Sequence, residues 1–376
     1  MSSSSSSSSM SSSSSSNGII GGIWPSSSAN KIPPSIIPKS HYTHVFYAYV
    51  QADPSANFKL KITRPTDPDS KWMADHEKWM PKLMHHLRSE DPSVKVFLAI
   101  GGANEEGKEA LSAMAPEKTY RKSFIQSTIE VAREYGFDGV NLGWEFPNGE
   151  LGMKNLVSIL SELREAVEQE ALDTGKAKLG ISASVYFTPD LRLKSSKRYV
   201  PYLAKEIANN VDFINVMCYD YAGYWNTSRT GAIAALYNIN GKNSTSSGIL
   251  EWIKVGVPAE KLVMGLPMYG RTWKLRDPDN NGIGAPAVGV GTQSGKTSEG
   301  FQWYSDVVKS NRKHDATEKY DEETVSYYSY AGTNWISYDG PRSIEAKVKF
   351  AKENRLGGYY FYAIGQDHED ELWKAG

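Results

Sequence analysis

Short apolar, β-branched or aromatic runs recur along the chain, separated by stretches of helical length, the alternation expected of parallel strands joined by helices. Eight runs carry the pattern: Ile19 to Trp24, Thr43 to Val50, Val94 to Ile100, Gly136 to Gly143, Leu179 to Val185, Phe213 to Tyr219, Leu262 to Met268 and Gly358 to Ile364. Between them, apolar residues at three- and four-residue spacing predict amphipathic helices over Lys71 to Ser89, Tyr120 to Tyr135, Met153 to Leu172, Tyr199 to Asn209 and Ile344 to Asn354. Eight strands alternating with helices predict an α/β fold, a (β/α)8 TIM barrel built from residues 18–270 and 339–376. The span Arg271 to Tyr338, between strands seven and eight, is too long for one crossover helix and rich in Gly, Asp, Asn and Tyr. It predicts a small α+β insertion domain over 271–338.

With 376 residues the chain is long enough for one barrel with an insertion. Lys plus Arg is 42 and Asp plus Glu is 43, so a net charge of -1 provides no long-range field for phosphates or anionic lipid. Nucleic acid is not an expected partner. The single cysteine, Cys218, excludes an intramolecular disulfide and any thiolate cluster for a metal. Neither a metal nor a cofactor is expected. Residues 1–17 hold a serine tract interrupted by Met10, without the basic and apolar regions of a secretory signal. They predict a disordered tail and, if this start is native, a cytoplasmic protein. No stretch approaches the ~20 apolar residues of a membrane span, so no membrane partner is expected. The sequons Asn226-Thr227-Ser228 and Asn243-Ser244-Thr245 matter only for a secreted chain.

Barrel enzymes place their chemistry at the C-terminal ends of the strands. The fourth run continues as Phe137-Asp138-Gly139-Val140-Asn141-Leu142-Gly143-Trp144-Glu145-Phe146-Pro147. Period two puts Asn141, Gly143 and Glu145 on one face and Val140, Leu142 and Trp144 on the other. A carboxylate ending an inward line at the barrel mouth is placed for a general acid. A rim glutamate bonded to a neighbouring Arg or Lys would show the same pattern.

This stretch resembles the Asp-x-x-Asp-x-Asp-x-Glu signature of family 18 glycoside hydrolases, and plant class V chitinases in particular. The resemblance extends to Phe97–Gly102, Ile214–Asp220, Gly265–Trp273, Tyr338-Asp339 with Ser343, and Gly357–Gly365, from about Gly18 to the end of the chain. It implies a retaining mechanism in which the glutamate protonates the glycosidic oxygen and the sugar's own 2-acetamido oxygen attacks. The motif's third aspartate, with a tyrosine and an aspartate on strand six, orients and charge-stabilises that group. By resemblance the acid is Glu145, the strand-six pair Tyr219 and Asp220, and the first aspartate Asp138. The other two aspartates are Asn141 and Gly143 here. Asn141 keeps the size of aspartate, whereas Gly143 offers no side chain. A loss of that kind costs about 3 to 4 kcal/mol, or ~10²- to 10³-fold in rate. The tryptophan that floors the family's central subsite is Tyr362 here, and its strand-one tyrosine is Ile23. Ligand contacts are expected from Trp24, Tyr47, Met217, Tyr269, Arg271 and Tyr362. Relatives of this kind are often secreted or vacuolar.

Other residues carry less. Cys218 reads as a small buried hydrophobe; Trp303, Tyr304, Tyr327 and Tyr328 could line one wall of a cleft, with most of them reading as the insertion's own core. Three functional readings follow. The favoured one is an acid/base enzyme using Glu145 on a small molecule or glycoside other than chitin, poor or inactive on chitin itself. The second is a non-catalytic lectin for N-acetylglucosamine-containing glycans. The third is a slow retaining chitinase in which Asp138 or a water replaces the missing carboxylate.

Overall fold

The computed structural model describes residues 18–38, 40–62, 74–193, 198–238, 243–291 and 299–376. The expected serine-rich tail, and the first residues of the helix predicted from Lys71, lie outside the described residues. Strands are β1 (Ile19–Pro25), β2 (His44–Asp53), β3 (Lys59–Lys61), β4 (Lys95–Gly102), β5 (Gly139–Trp144), β6 (Gly180–Tyr186), β7 (Asp190–Arg192), β8 (Tyr199–Pro201) and β9 (Phe213–Met217). They continue as β10 (Leu262–Pro267), β11 (Tyr269–Leu275), β12 (Ala287–Gly289), β13 (Phe301–Trp303), β14 (Thr317–Asp321), β15 (Ser326–Ala331), β16 (Asn334–Tyr338) and β17 (Gly358–Tyr362). Helices are α1 (His76–Glu90), α2 (Glu105–Met114), α3 (Lys118–Glu134), α4 (Gly149–Thr174), α5 (Ala204–Asn210), α6 (Thr245–Lys254), α7 (Tyr304–His314), α8 (Pro341–Glu353) and α9 (Glu371–Ala375).

The eight predicted runs correspond to β1, β2, β4, β5, β6, β9, β10 and β17, which pair in parallel and in that order. β1 also pairs with β2 and with β17, which closes the barrel. Alternation sorts the side chains. Ile23, Phe46, Ala48, Phe97, Ala99, Phe213, Val263 and Tyr360 fill the interior. Val45, Val96, Leu98, Val140, Leu142, Ile181, Ile214, Met264 and Phe361 pack outward with the helices. Strands buried on both faces read as near-continuous apolar runs, which is why they were visible in the sequence.

One predicted helix differs. Tyr199 to Asn209 begins as β8, antiparallel to β7, and only Ala204–Asn210 is helical. Pro201 disfavours the helical region for Val200 before it, and pairing with Asp190–Arg192 satisfies that segment instead.

Between β10 and β17 runs an antiparallel sheet in the order β12-β11-β16-β15-β14, with β13 on β11 and α7 beside it. Trp273, Trp335, Leu275, Ala285 and Ala287 form its core. Where this sheet returns to the barrel, Asp339 and Lys347 form an ion pair with both side chains 1% exposed. The Ser343 hydroxyl donates to the other Asp339 oxygen. Burial raises the Asp339 carboxyl and lowers the Lys347 ammonium, and each charge offsets the cost for its partner.

At the N-terminal end of the barrel His44 lies against Phe97 and Phe213, with ring centroids 5.7 and 5.6 Å away. His76, at the start of α1, shares a 2.8 Å hydrogen bond between Nδ1 and the Tyr47 hydroxyl. Burial lowers both imidazoles from 6.5 to about 4. Between those values the unfolded chain binds more protons than the fold, so the stabilisation is present above 6.5 and lost as pH falls toward 4. The expected loss is on the order of 3 kcal/mol per histidine. Thermal unfolding midpoints should therefore decline below pH 6.5 in the wild type and decline less in a His44→Gln/His76→Gln variant. Identical slopes in the two proteins would contradict this assignment.

Candidate active site at the barrel mouth

β5 carries the column read from the sequence, and its members lie in different environments. Asp138 precedes the strand at its N-terminal end, where Oδ2 accepts from the Val96 backbone N–H at 2.7 Å and pairs with Arg88. Seven positions of extended chain, roughly 20 Å, separate it from Glu145. The expected support from Asp138 is therefore corrected: it ties β5 to β4 and α1, and it cannot replace a carboxylate at the mouth. Asn141 is 1% exposed. Its Nδ2 donates to the Ser182 hydroxyl at 2.9 Å, and its Oδ1 accepts from the Ser184 hydroxyl at 3.1 Å. That makes it an inward strut between β5 and β6.

Gly143 borders on a residue that alternation alone would have turned away. A Cβ there would lie 3.3 Å from Cε1 of Tyr49, and one at Gly102 would lie 2.8 Å from Cδ2 of the same ring. Tyr49 is thus wedged between β4 and β5. It faces inward because the β2–β4 register shifts between Tyr47 and Val50, leaving Ala48 and Tyr49 opposite Ala99. Glu145, half-buried, follows β5 at the mouth. Its charge contributes to raising the phenols of Tyr49, Tyr202, Tyr360 and Tyr362, although burial is the larger cause for each. All four stay neutral at physiological pH.

β9 and β17 complete the site. Met217 ends β9, in register with Tyr186 of β6, and is 7% exposed. Beyond it, the Tyr219 and Tyr360 hydroxyls stand 3.0 Å apart. The Tyr219 and Tyr362 rings are 5.5 Å apart, and the Tyr269 ring lies 6.2 Å from Tyr219. Asp220 accepts two hydrogen bonds from Arg271, from Nε at 2.9 Å and from Nη2 at 2.8 Å. Such a bidentate pair engages both carboxylate oxygens. The Arg271 guanidinium also lies over the rings of Tyr224, Trp225, Tyr269 and Phe301.

Of the expected ligand contacts, Met217, Tyr269, Arg271 and Tyr362 gather around this mouth with Glu145, Tyr219 and Asp220. Trp24 and Tyr47 do not. Both are 0% exposed and pack outward, their ring centroids 5.4 Å apart. The Trp24 indole donates to the Ile32 carbonyl. They occupy the outward phase of their strands, so their expected ligand role is corrected to core packing beneath the helices. Tyr49, Tyr202 and Tyr360 escaped the sequence reading. Tyr360 lies in the eighth run and could have been found by phase; Tyr49 depends on the bulge.

Cys218 is buried, and burial pushes its thiol up to about 12, so it is no nucleophile at neutral pH. Tyr304 is 4% exposed and donates to Glu371, and Tyr327 stacks on Tyr338, as expected of packing residues. Among the described residues, no group of three or more His, Cys, Asp or Glu side chains is placed to hold a metal ion.

This arrangement belongs to a known group of proteins. The sequence profile of the glycosyl hydrolases family 18 matches residues 20–367. A class V chitinase of Medicago truncatula is 39% identical over 374 residues, covering 100% of this chain and 92% of that protein. A class V chitinase mutant from Nicotiana tobaccum, solved in complex with NAG4, has a TM-score of 0.86 at 33% identity, covering 96% of this chain and 97% of that one. A chitinase-like agglutinin from Robinia pseudoacacia has a TM-score of 0.82 at 34% identity, covering 95% and 98% of the two chains. The chain described here belongs to glycosyl hydrolase family 18.

Proposed function

We propose that this chain is an acid/base enzyme that uses Glu145 as its proton-transferring group on a ligand other than chitin. The observation that carries the reading is the state of the groups that would hold a 2-acetamido sugar. Asn141 is engaged by Ser182 and Ser184, Gly143 has no side chain and borders the Tyr49 ring, and Asp220 is engaged by Arg271. Attack by a substrate acetamido oxygen develops positive charge on an oxazolinium ring. None of these groups offers it a free carboxylate. Proton transfer at Glu145 needs none of them.

On this reading wild-type protein releases shorter oligomers from an N-acetylglucosamine tetramer ~10²- to 10³-fold more slowly than a class V chitinase assayed beside it. The Asn141→Asp/Gly143→Asp variant is expected to gain less than about tenfold, because a side chain at 143 crowds the Tyr49 ring, which must give way by a few tenths of an ångström, and Asp220 stays paired. Recovery of two or more orders of magnitude would mean that the site is a chitinase with two lesions and nothing else altered.

A second reading, glycan binding without turnover, is favoured by Tyr224 and Trp225, 41% and 47% exposed beside Arg271. Exposed aromatic faces at a cleft rim stack on sugar rings. Calorimetric titration with an N-acetylglucosamine hexamer separates the two. Saturable heat that survives Glu145→Gln and disappears in Trp225→Ala is the signature of a lectin. The acid/base reading expects little or no heat from either wild type or variant.

A further inference from the structure

Tyr360 projects from the middle of β17 into the barrel and is 1% exposed. On one side its register partner is Gly21 of β1, and on the other Gly265 of β10. A Cβ at Gly21 would stand 2.8 Å from the Tyr360 Cβ, and one at Gly265 would stand 2.8 Å from its hydroxyl and 2.7 Å from Cε1 of Tyr219. Side-chain absence on both neighbouring strands is thus what admits this ring.

The position of the hydroxyl decides what the ring does. It lies 3.0 Å from the Tyr219 hydroxyl and 3.5 Å from the Val216 carbonyl oxygen. The contact between the two phenols can run either way; in the orientation that makes both bonds, the Tyr360 O–H donates to the Val216 carbonyl and its lone pairs take the proton of Tyr219. In that orientation the chain runs Tyr219 to Tyr360 to Val216. Tyr219 is left with lone pairs for a ligand.

We infer that Tyr360 sets the specificity of the mouth by turning Tyr219 from a donor into an acceptor, so that the ligand presents an N–H group, as an amine or ammonium, and not an acetamido carbonyl. The inference rests on the reading of Glu145 as acting on a ligand other than chitin, and it names that ligand's class. Two further features fit. The rings of Tyr219 and Tyr362 lie 5.5 Å apart, Tyr49 packs against the same interior cluster, and aromatic faces attract a desolvated cation. Glu145 lies close enough to act on the phenols of Tyr49, Tyr360 and Tyr362, so an ammonium held there would sit near a carboxylate. Tyr360 is a positioning residue in this scheme, acting on the ligand through Tyr219.

A matched pair of probes isolates the effect: the tetramers of glucosamine and of N-acetylglucosamine, which differ in carrying ammonium or acetamido groups. At mildly acid pH, where the glucosamine nitrogen is protonated, wild type should bind the glucosamine tetramer about tenfold more tightly. Tyr360→Phe keeps the ring and frees the Tyr219 proton for the mouth, so the preference should shrink to about onefold or reverse. Tyr219→Phe and Tyr219→Phe/Tyr360→Phe should then show one and the same ratio, which a merely structural role for Tyr360 would not produce. An unchanged ratio in Tyr360→Phe overturns the inference, as does failure of wild type and variant to bind either tetramer. Product release is measured in the same samples. Rapid cleavage of the acetylated tetramer by wild type would sink the non-chitin reading and this inference together, whereas slow cleavage with an unchanged ratio would sink the inference alone.

Discussion

The Tyr219 and Tyr360 hydroxyls meet only because β1 and β10 present glycine at the register of Tyr360. A barrel interior is a packed core, so a large ring on one strand requires small residues beside it. Once Tyr360 is admitted, it bonds Tyr219 at the top of β9, and the rings of Tyr219, Tyr362 and Tyr269 pack above it. The chemistry of the mouth follows from this steric arrangement. Burial keeps these phenols neutral.

Glu145, Asp220 and Arg271 carry charge at the mouth. Asp220 is the nearest further carboxylate named by the family pattern, and Arg271 neutralises it with two hydrogen bonds. Asp138 is spent at the opposite end of β5, holding Val96 and Arg88.

The inserted sheet contributes to the same region. β11 begins two residues after β10 ends, so Tyr269 and Arg271 are carried directly from a barrel strand to the rim. The Met268 N–H donates to the Tyr362 carbonyl, tying that junction to β17. Arg271 then lies among Tyr224, Trp225 and Phe301, which places the insertion's first strand against the β9–α6 loop.

Much of this was determined by the sequence alone. Eight doubly buried strands leave apolar runs that no helix imitates at that length, and strict alternation through Asn141, Gly143 and Glu145 places that glutamate at the mouth without any coordinates. Loss of two carboxylates is likewise plain in the sequence. The tertiary structure decided which aromatic residues replace them. Trp24 and Tyr47 belong to the same runs as true interior residues but lie in the opposite phase, and a bulge in β2 turned Tyr49 inward against the count. Strand phase at a bulge is set by pairing with a distant neighbour, and a phenol's partner by which strands close beside it. Neither is a property of the local sequence, because both arise only when eight segments far apart in the chain share one interior.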